Sequence, residues 1–424
     1  MTCAITKTLR CALLAAWLAA GAPAAPASPA PAPAPAFWQP TWFSPAQPVW
    51  GDGWAVPLGM PTDLHGVTLR QSLRTSLGGE RLRLVISNQY GAVPLTIGTL
   101  TVRRSAAEPA RGVLFQGRDG MVVAPGARVI SDPIGLPVTA GDRLEVDLHL
   151  PEPSSPAGFH WDAQEQTEVI QGNAAGHHGA PVVQTVTTRA FVCALWVASS
   201  HPPLTVVTIG DSITDGNGSS IGRDQRWPDH LSRRLAPRGI AVLNAGIAGN
   251  RLLRGGWGES AIARFEQDVL THPGVRAAIV LLGTNDIGFP GGPFAPSESP
   301  VSLDELTGAL LQLVEQAHAR KVRVVVGTVP PFEHALQGTP FEGHYSPQKE
   351  AQREALNNWI RHTRAFDAVV DFDAVLRDPA HPSQLDPRLD SGDHLHPGDA
   401  GYKRMADAID LDALLGAHQA GVGR

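Results

Sequence analysis

"TVVTIGDSITDGNGSSIG", residues 205–222, holds two serines that could act as a nucleophile. Ser220 lies in Gly218-Ser219-Ser220-Ile221-Gly222, which satisfies the G-x-S-x-G pattern of a strained strand-to-helix elbow. Ser212 lies in Gly210-Asp211-Ser212-Ile213 and does not. What precedes each serine decides between them. The run 204–209 is apolar and rich in β-branched residues, so it reads as a buried strand with Ser212 just beyond its carboxyl end. Ser220 sits in a Gly/Ser/Asn loop that no strand enters, and the elbow pattern means nothing without that strand. Ser212 is the candidate, and Ser220 is a chance match.

Working outward, "LTVVTIG", "IAVLNAG", "VRAAIVLLG", "VRVVVGTV" and "AVVDFDAV" are five short β-branched runs separated by helical patterns. In 302–320, Leu303, Leu306, Leu310, Leu313, Val314 and Ala317 recur at helical spacing, and Ser302 with Glu305 forms a capping box. Alternating strand and helix predicts an α/β fold, a doubly wound parallel sheet of about five strands covered on both faces. Such sheets bind ligands beyond the carboxyl ends of their strands, where Ser212 falls.

Before about residue 200 the texture is all β. In "DRLEVDLHL", Leu144, Val146, Leu148 and Leu150 alternate with Arg143, Glu145, Asp147 and His149, the mark of a half-buried strand. "ERLRLVISN" and "PLTIGTLTVRR" are similar, with turn signals between them, which predicts an antiparallel, jelly-roll-like β-sandwich over 37–200. Residues 25–36 are a Pro/Ala-rich linker. Lys7 and Arg10 precede the apolar run "CALLAAWLAA", and A-x-A patterns follow at 22–24 and 25–27. That run is too short to span a bilayer, so residues 1–24 read as a signal peptide and the protein as exported, secreted or periplasmic. The parallel-sheet domain is expected over 203–415, with a tail at 416–424.

A net charge of −6 on 424 residues, with no basic block, does not suggest nucleic acid as a partner, so none is expected, and no membrane span is expected in the mature protein. Cleavage of residues 1–24 removes two of three cysteines and leaves Cys193, in the apolar run "AFVCALWVA", as a buried structural thiol.

Three more segments reach the edge where Ser212 sits. "NAGIAGNRLL" puts Gly249, Asn250 and Arg251 after the second strand, and "LLGTNDIG" puts Asn285 and Asp286 after the third. "DSGDHLHPGDAGY" puts Asp393, His394 and His396 before a last helix. These segments, in this order, resemble the conserved blocks of the SGNH, or GDSL-type, esterase and lipase superfamily. The strings "GDSITDG", "RWPDHL" and "AGIAGNRLL" further resemble an arylesterase and acylhydrolase subgroup associated with xylan degradation.

The resemblance implies an SGNH-hydrolase, flavodoxin-like fold and a serine carboxylic-ester hydrolase needing no cofactor. It implies Ser212 as nucleophile, His396 as its base and Asp393 as the group orienting His396. The oxyanion donors would be the Ser212 and Gly249 N–H groups and the Asn285 side-chain amide. A side chain at 249 would obstruct backbone approach to substrate. Asn250, Arg251 and His394 are candidate substrate contacts. Asp215 and Asp286 read as supports for loop backbone. His394 with Asp390 or Asp393 could suggest a metal, but no third ligand at a recognisable spacing appears, so none is assigned. Trp38, Trp42, Trp50 and Trp54 could stack on sugar rings or pack the N-terminal segment. The expected substrate is a small-molecule or polysaccharide ester, acetyl or short acyl or aryl, on carbohydrate. The alternatives are a lipase-like carboxylesterase of broad specificity and a non-catalytic carbohydrate-binding protein on an esterase scaffold.

Overall fold

In the computed structural model, residues 37–416 other than 52, 53 and 55 are described. The expected signal peptide, the linker and nearly all of the tail lie outside them, as do Cys3 and Cys11. Among the described residues, no helix is long and apolar enough to cross a membrane.

The parallel sheet forms as the five apolar runs require. Its strands are Thr205–Gly210, Ala241–Gly246, Val275–Leu281, Arg323–Gly327 and Ala368–Val370, in spatial order 2-1-3-4-5 and all parallel. That is the flavodoxin-like order, whose switch point lies between the first and third strands. Alternate residues serve opposite faces. Val207, Ile209, Leu243, Val280 and Val326 meet Leu306, Leu310 and Leu313 of helix Leu303–His318. Val206, Val242, Ile279 and Val325 meet Trp227, Leu231, Tyr402 and Met405 of helices Trp227–Leu235 and Asp399–Asp407. Ser302 caps its helix as its spacing foretold, with Ser302 Oγ accepting from Glu305 N and the Glu305 carboxylate accepting from Ser302 N. The last run is shorter than its apolar pattern suggested. The strand stops at Val370, because Asp371 accepts from Ala374 N and starts the helix Phe372–Leu376.

The preceding β region is built on two larger antiparallel sheets, with three two-stranded pairs beside them. One is four-stranded, in the order Phe37–Phe43, Val192–Ser199, Leu82–Ser87, Arg128–Ile130. The other has six strands, with Val67–Arg74 and Arg143–Leu150 at its centre. Their inner faces share a core that includes Leu69, Leu84, Ile86, Val146, Leu148 and Leu195. On the outer face of 143–150, Asp147 is not solvated. It is buried between Arg70, whose Nε lies 2.7 Å from Oδ1, and Arg103, and it accepts from Gly176 N.

The β region and the parallel sheet meet along the strand Phe37–Phe43. Gln39 donates to the Leu204 carbonyl and accepts from Leu204 N at 2.9 Å. Phe43, Val85, Cys193 and Ala194 are buried in the same apolar cluster as Leu243, Ala245 and Phe265. Trp38 and Trp42 of this strand lie under the guanidinium groups of Arg83 and Arg189.

Candidate active site

Ser212 opens a single helical turn, Ser212–Asp215, directly after the first parallel strand. Asp211 caps that turn by accepting from Ile213 N at 3.0 Å, and Gly216 ends it in the left-handed conformation. Burial, against the pull of that N–H, pushes the Asp211 carboxyl up to about 7. At position 210, a Cβ would press into Thr214 and the Leu281 carbonyl, so glycine lets the turn fold tightly over the sheet.

His396 Nε2 lies 2.8 Å from Ser212 Oγ, and His396 Nδ1 lies 2.5 Å from Asp393 Oδ2. Asp393 Oδ1 accepts from the Leu395 and His396 N–H groups, so the D-x-x-H turn folds the carboxylate back onto its own histidine. Burial disfavours the charged ring, but the Asp393 carboxylate outweighs it and raises the His396 pKa. For Asp393 burial acts upward, yet the His396 ring and two N–H donors hold it well below the usual carboxylate range. A proton leaving Ser212 Oγ therefore has an adjacent acceptor whose cation is stabilised.

Gly249 and Asn285 converge on the same edge. Asn285 Nδ2 donates to the Asn250 carbonyl at 3.0 Å, which leaves its second amide proton. The Gly249 N–H bonds to no acceptor among the described residues, and the Ser212 N–H, first in its turn, has none within the turn. Gly249 has φ +74°, and a Cβ there would come within 2.9 Å of Trp257 Cδ1 and closer still to the neighbouring ring carbons. The glycine is needed because an indole lies against it, a reason different from the expected approach of substrate.

Both supporting carboxylates hold the loop that carries Gly249. Asp286 accepts from Leu252 N at 2.7 Å and Leu253 N at 3.0 Å, and Asp215 Oδ2 accepts from Ala248 N at 3.1 Å. The candidate substrate contacts are otherwise engaged. The Asn250 amide donates to the Glu259 carbonyl and accepts from Arg264, so it holds the loop from behind. Arg251 is paired with Glu298 at 2.6 Å and bonded to the Gly255 carbonyl, which ties this loop to 288–300. His394, at φ +60°, bonds Asp390 at 2.6 Å with its side chain half exposed. Ser220, the chance match, is exposed and donates from N and Oγ to Asp399, at the start of the last long helix.

Sequence reasoning missed four contributors. Arg264 is buried and donates to the Gly210 and Ala245 carbonyls as well as to Asn250 and Asp268, locking together two strand ends. An Arg and an Asp four apart on a helix was its one visible trace. From the β region, His160 bonds Asp215 at 2.9 Å and Asp162 bonds Asn217 at 2.8 Å. Trp161 joins Trp50, Trp54 and Trp257 in an aromatic cluster with centroids 5.1–5.6 Å apart. No local pattern marks these residues, since each partner lies in another segment of the chain. Among the described residues, no group of three or more His, Cys, Asp or Glu is arranged to hold a metal ion.

A parallel sheet of order 2-1-3-4-5 thus carries, at its switch point, a serine, a histidine and an aspartate joined by hydrogen bonds, an arrangement able to activate the serine hydroxyl. Residues 208–404 match the model of the GDSL-like Lipase/Acylhydrolase family. No curated protein matches the sequence. Among solved structures, a GDSL-like lipase from Bacteroides thetaiotaomicron is 20% identical, covering 49% of this chain and 87% of its own, with a TM-score of 0.35. A catalytic mutant of an acetylxylan esterase from Geobacillus stearothermophilus is 23% identical, covering 48% and 91%, with a TM-score of 0.34.

Proposed function

We propose that this protein is an exported esterase that removes acetyl or other short acyl groups from carbohydrate, with Ser212 as nucleophile. The observation that carries the reading is the unbroken chain from Ser212 Oγ through His396 to Asp393, with links of 2.8 and 2.5 Å. In the first step Ser212 Oγ attacks the ester carbonyl carbon while His396 Nε2 takes its proton. The carbonyl oxygen becomes an oxyanion facing the Ser212 and Gly249 N–H groups and the Asn285 amide. His396 then delivers its proton to the departing alcohol oxygen. Water, deprotonated by His396, attacks the acyl-Ser212 ester, and collapse of that second tetrahedral species frees the acid and restores Ser212 Oγ–H. Asp393 keeps the imidazole in the required tautomer and stabilises its cation throughout.

The substrate class is supported by the aromatic wall beside Gly249. Trp257 packs on that glycine, and Trp50, Trp54 and Trp161 extend the wall from the β region. Indole faces suit stacking on sugar or aryl rings. Loops 288–300 and 330–347 continue the apolar surface, with Phe294 stacked on Phe341 at 4.9 Å. Export rests on the basic, apolar and A-x-A pattern of residues 1–27. In the domain arrangement we favour, residues 37–200 and 203–415 work as two modules of one enzyme.

The test is hydrolysis of p-nitrophenyl esters and acetylated xylan by the parent and by Ser212→Ala. The reading expects activity greatest on acetyl and absent in the variant. Preference for C6 or longer chains would point to the lipase-like alternative, and a folded but inactive parent to a binding protein.

A further inference from the structure

The β region does more than adjoin the site, and the residues through which it does so lie outside 208–404. Its segment 159–165 meets the turn that carries Ser212, and the loop that follows it, at three points. His160 Nε2 lies 2.9 Å from Asp215 Oδ1, Asp162 Oδ2 accepts from Asn217 Nδ2 at 2.8 Å, and the Gln164 carbonyl accepts from Gly222 N at 2.9 Å. Asp162 and Gln164 hold left-handed backbone, at φ +51° and +54°, which bends the segment into place.

The first of these contacts has a continuation. The other His160 nitrogen, Nδ1, lies 3.0 Å from the Pro45 carbonyl, so the ring is held at both ends by β-region backbone and the buried Asp215. The second Asp215 oxygen accepts from Ala248 N, and Ala248 is the residue from which the Gly249 peptide plane hangs. We propose that His160 is a positioning residue of the esterase site: through Asp215 it fixes the Ala248–Gly249 backbone, and so aims the Gly249 N–H at the developing oxyanion. This rests on the reading of Ser212 as nucleophile and Gly249 as oxyanion donor. Without His160, the buried Asp215 carboxylate loses a donor and must turn toward another, releasing Ala248 N–H. Oxyanion donors act by being fixed beforehand, so a loosened donor costs turnover more than substrate binding.

The experiment uses the full chain and compares His160→Ala, His160→Gln and Ser212→Ala on p-nitrophenyl acetate. A second readout is inhibition by phenylboronic acid. In that adduct Ser212 Oγ forms a bond to boron, its proton passes to His396, and the tetrahedral boronate presents an oxygen where the oxyanion would sit. The proposal expects His160→Ala to lower kcat by about 10–100-fold, below the ~10²–10³ of a lost donor, with KM within about twofold. Boronate affinity should weaken by a similar factor. His160→Gln, whose amide still donates to Asp215, should recover most of the loss. Should His160→Ala fail to fold, His160→Asn, one methylene too short for the bond, takes its place with the same expectation. Parent-like kcat, a loss with unchanged boronate affinity, or a Gln variant no better than Ala would each overturn the role of His160 alone. Activity in Ser212→Ala would overturn the nucleophile assignment, and this proposal with it.

Discussion

Gly249→Ala isolates the geometry of the oxyanion loop. A methyl group at 249 would lie 2.9 Å or less from three atoms of the Trp257 ring, against about 3.5–4.0 Å for carbon atoms in contact. Loop and indole must separate by at least ~1.2 Å to clear the nearest ring carbon, and the residue must also keep φ +74°, which costs an L-residue about 1–2 kcal/mol. Trp257 is pinned by Trp50, Trp54, Trp161 and Phe294, and its carbonyl accepts from Trp50 Nε1 at 3.2 Å. The indole therefore resists, and the Gly249 backbone moves. Displacing one oxyanion donor should lower kcat by about 10²–10³, equivalent to about 2.7–4 kcal/mol of transition-state stabilisation. The assay is steady-state hydrolysis of p-nitrophenyl acetate in a double-mutant cycle with Trp257→Ala, with thermal unfolding measured alongside. Opening the indole's space should make Gly249→Ala markedly milder, leaving mainly the φ penalty. An equal loss in both backgrounds would refute the steric account, and a fully active Gly249→Ala would refute the role given to that N–H.

The other predictions concern the proton path and the two serines. Ser220→Ala should keep parent activity and lose no more than about 1 kcal/mol of stability, because Ser220 is exposed and its side chain bonds only Asp399; Ser212→Ala should be folded and inactive. Catalysis needs neutral His396, whose pKa Asp393 raises above its ordinary 6.5 despite burial, so kcat/KM should rise with pH through a value above 6.5. The stability effect has the opposite sign: the His396 contribution is fully present below 6.5 and fades as pH rises through the folded value. Asp393→Asn should move the activity limb down and cut kcat by up to ~10⁴, as a pH–rate profile would read directly. Asn285→Ala should cost about 10²–10³ in kcat while leaving KM nearly unchanged, and equal changes in both would remove it from the oxyanion site.

The five parallel strands and the edge to which each motif points were legible because they depend on local pattern, whereas the flavodoxin-like arrangement came only from the family resemblance. A β-branched run followed by glycine fixes where a strand ends, and Ser212, Gly249 and Asn285 each follow such an end. The turn bearing Asp393 and His396 was equally readable, since its bonds close within four residues. What could not be read are bonds between distant segments. His160 and Asp215 are 55 residues apart, and Trp161 and Trp257 are further apart still. Asn250 looked like a site contact from its position, but a buried Arg264 offered its amide better partners. The final apolar run misled for a local reason: the cap formed by Asp371 overrode the β-branched residues around it.

Cys193 is the free cysteine among the described residues, buried in the apolar cluster shared by the β region and the parallel sheet. Burial pushes its thiol up to about 11, so at neutral pH it is neither ionised nor within reach of a reagent. It therefore becomes a natural clock for the joint in which it sits. A thiol reagent can modify Cys193 only during moments when the two regions part, and the mass of the labelled peptide counts those moments. One silent sulfur would then carry a record of how often the joint opens.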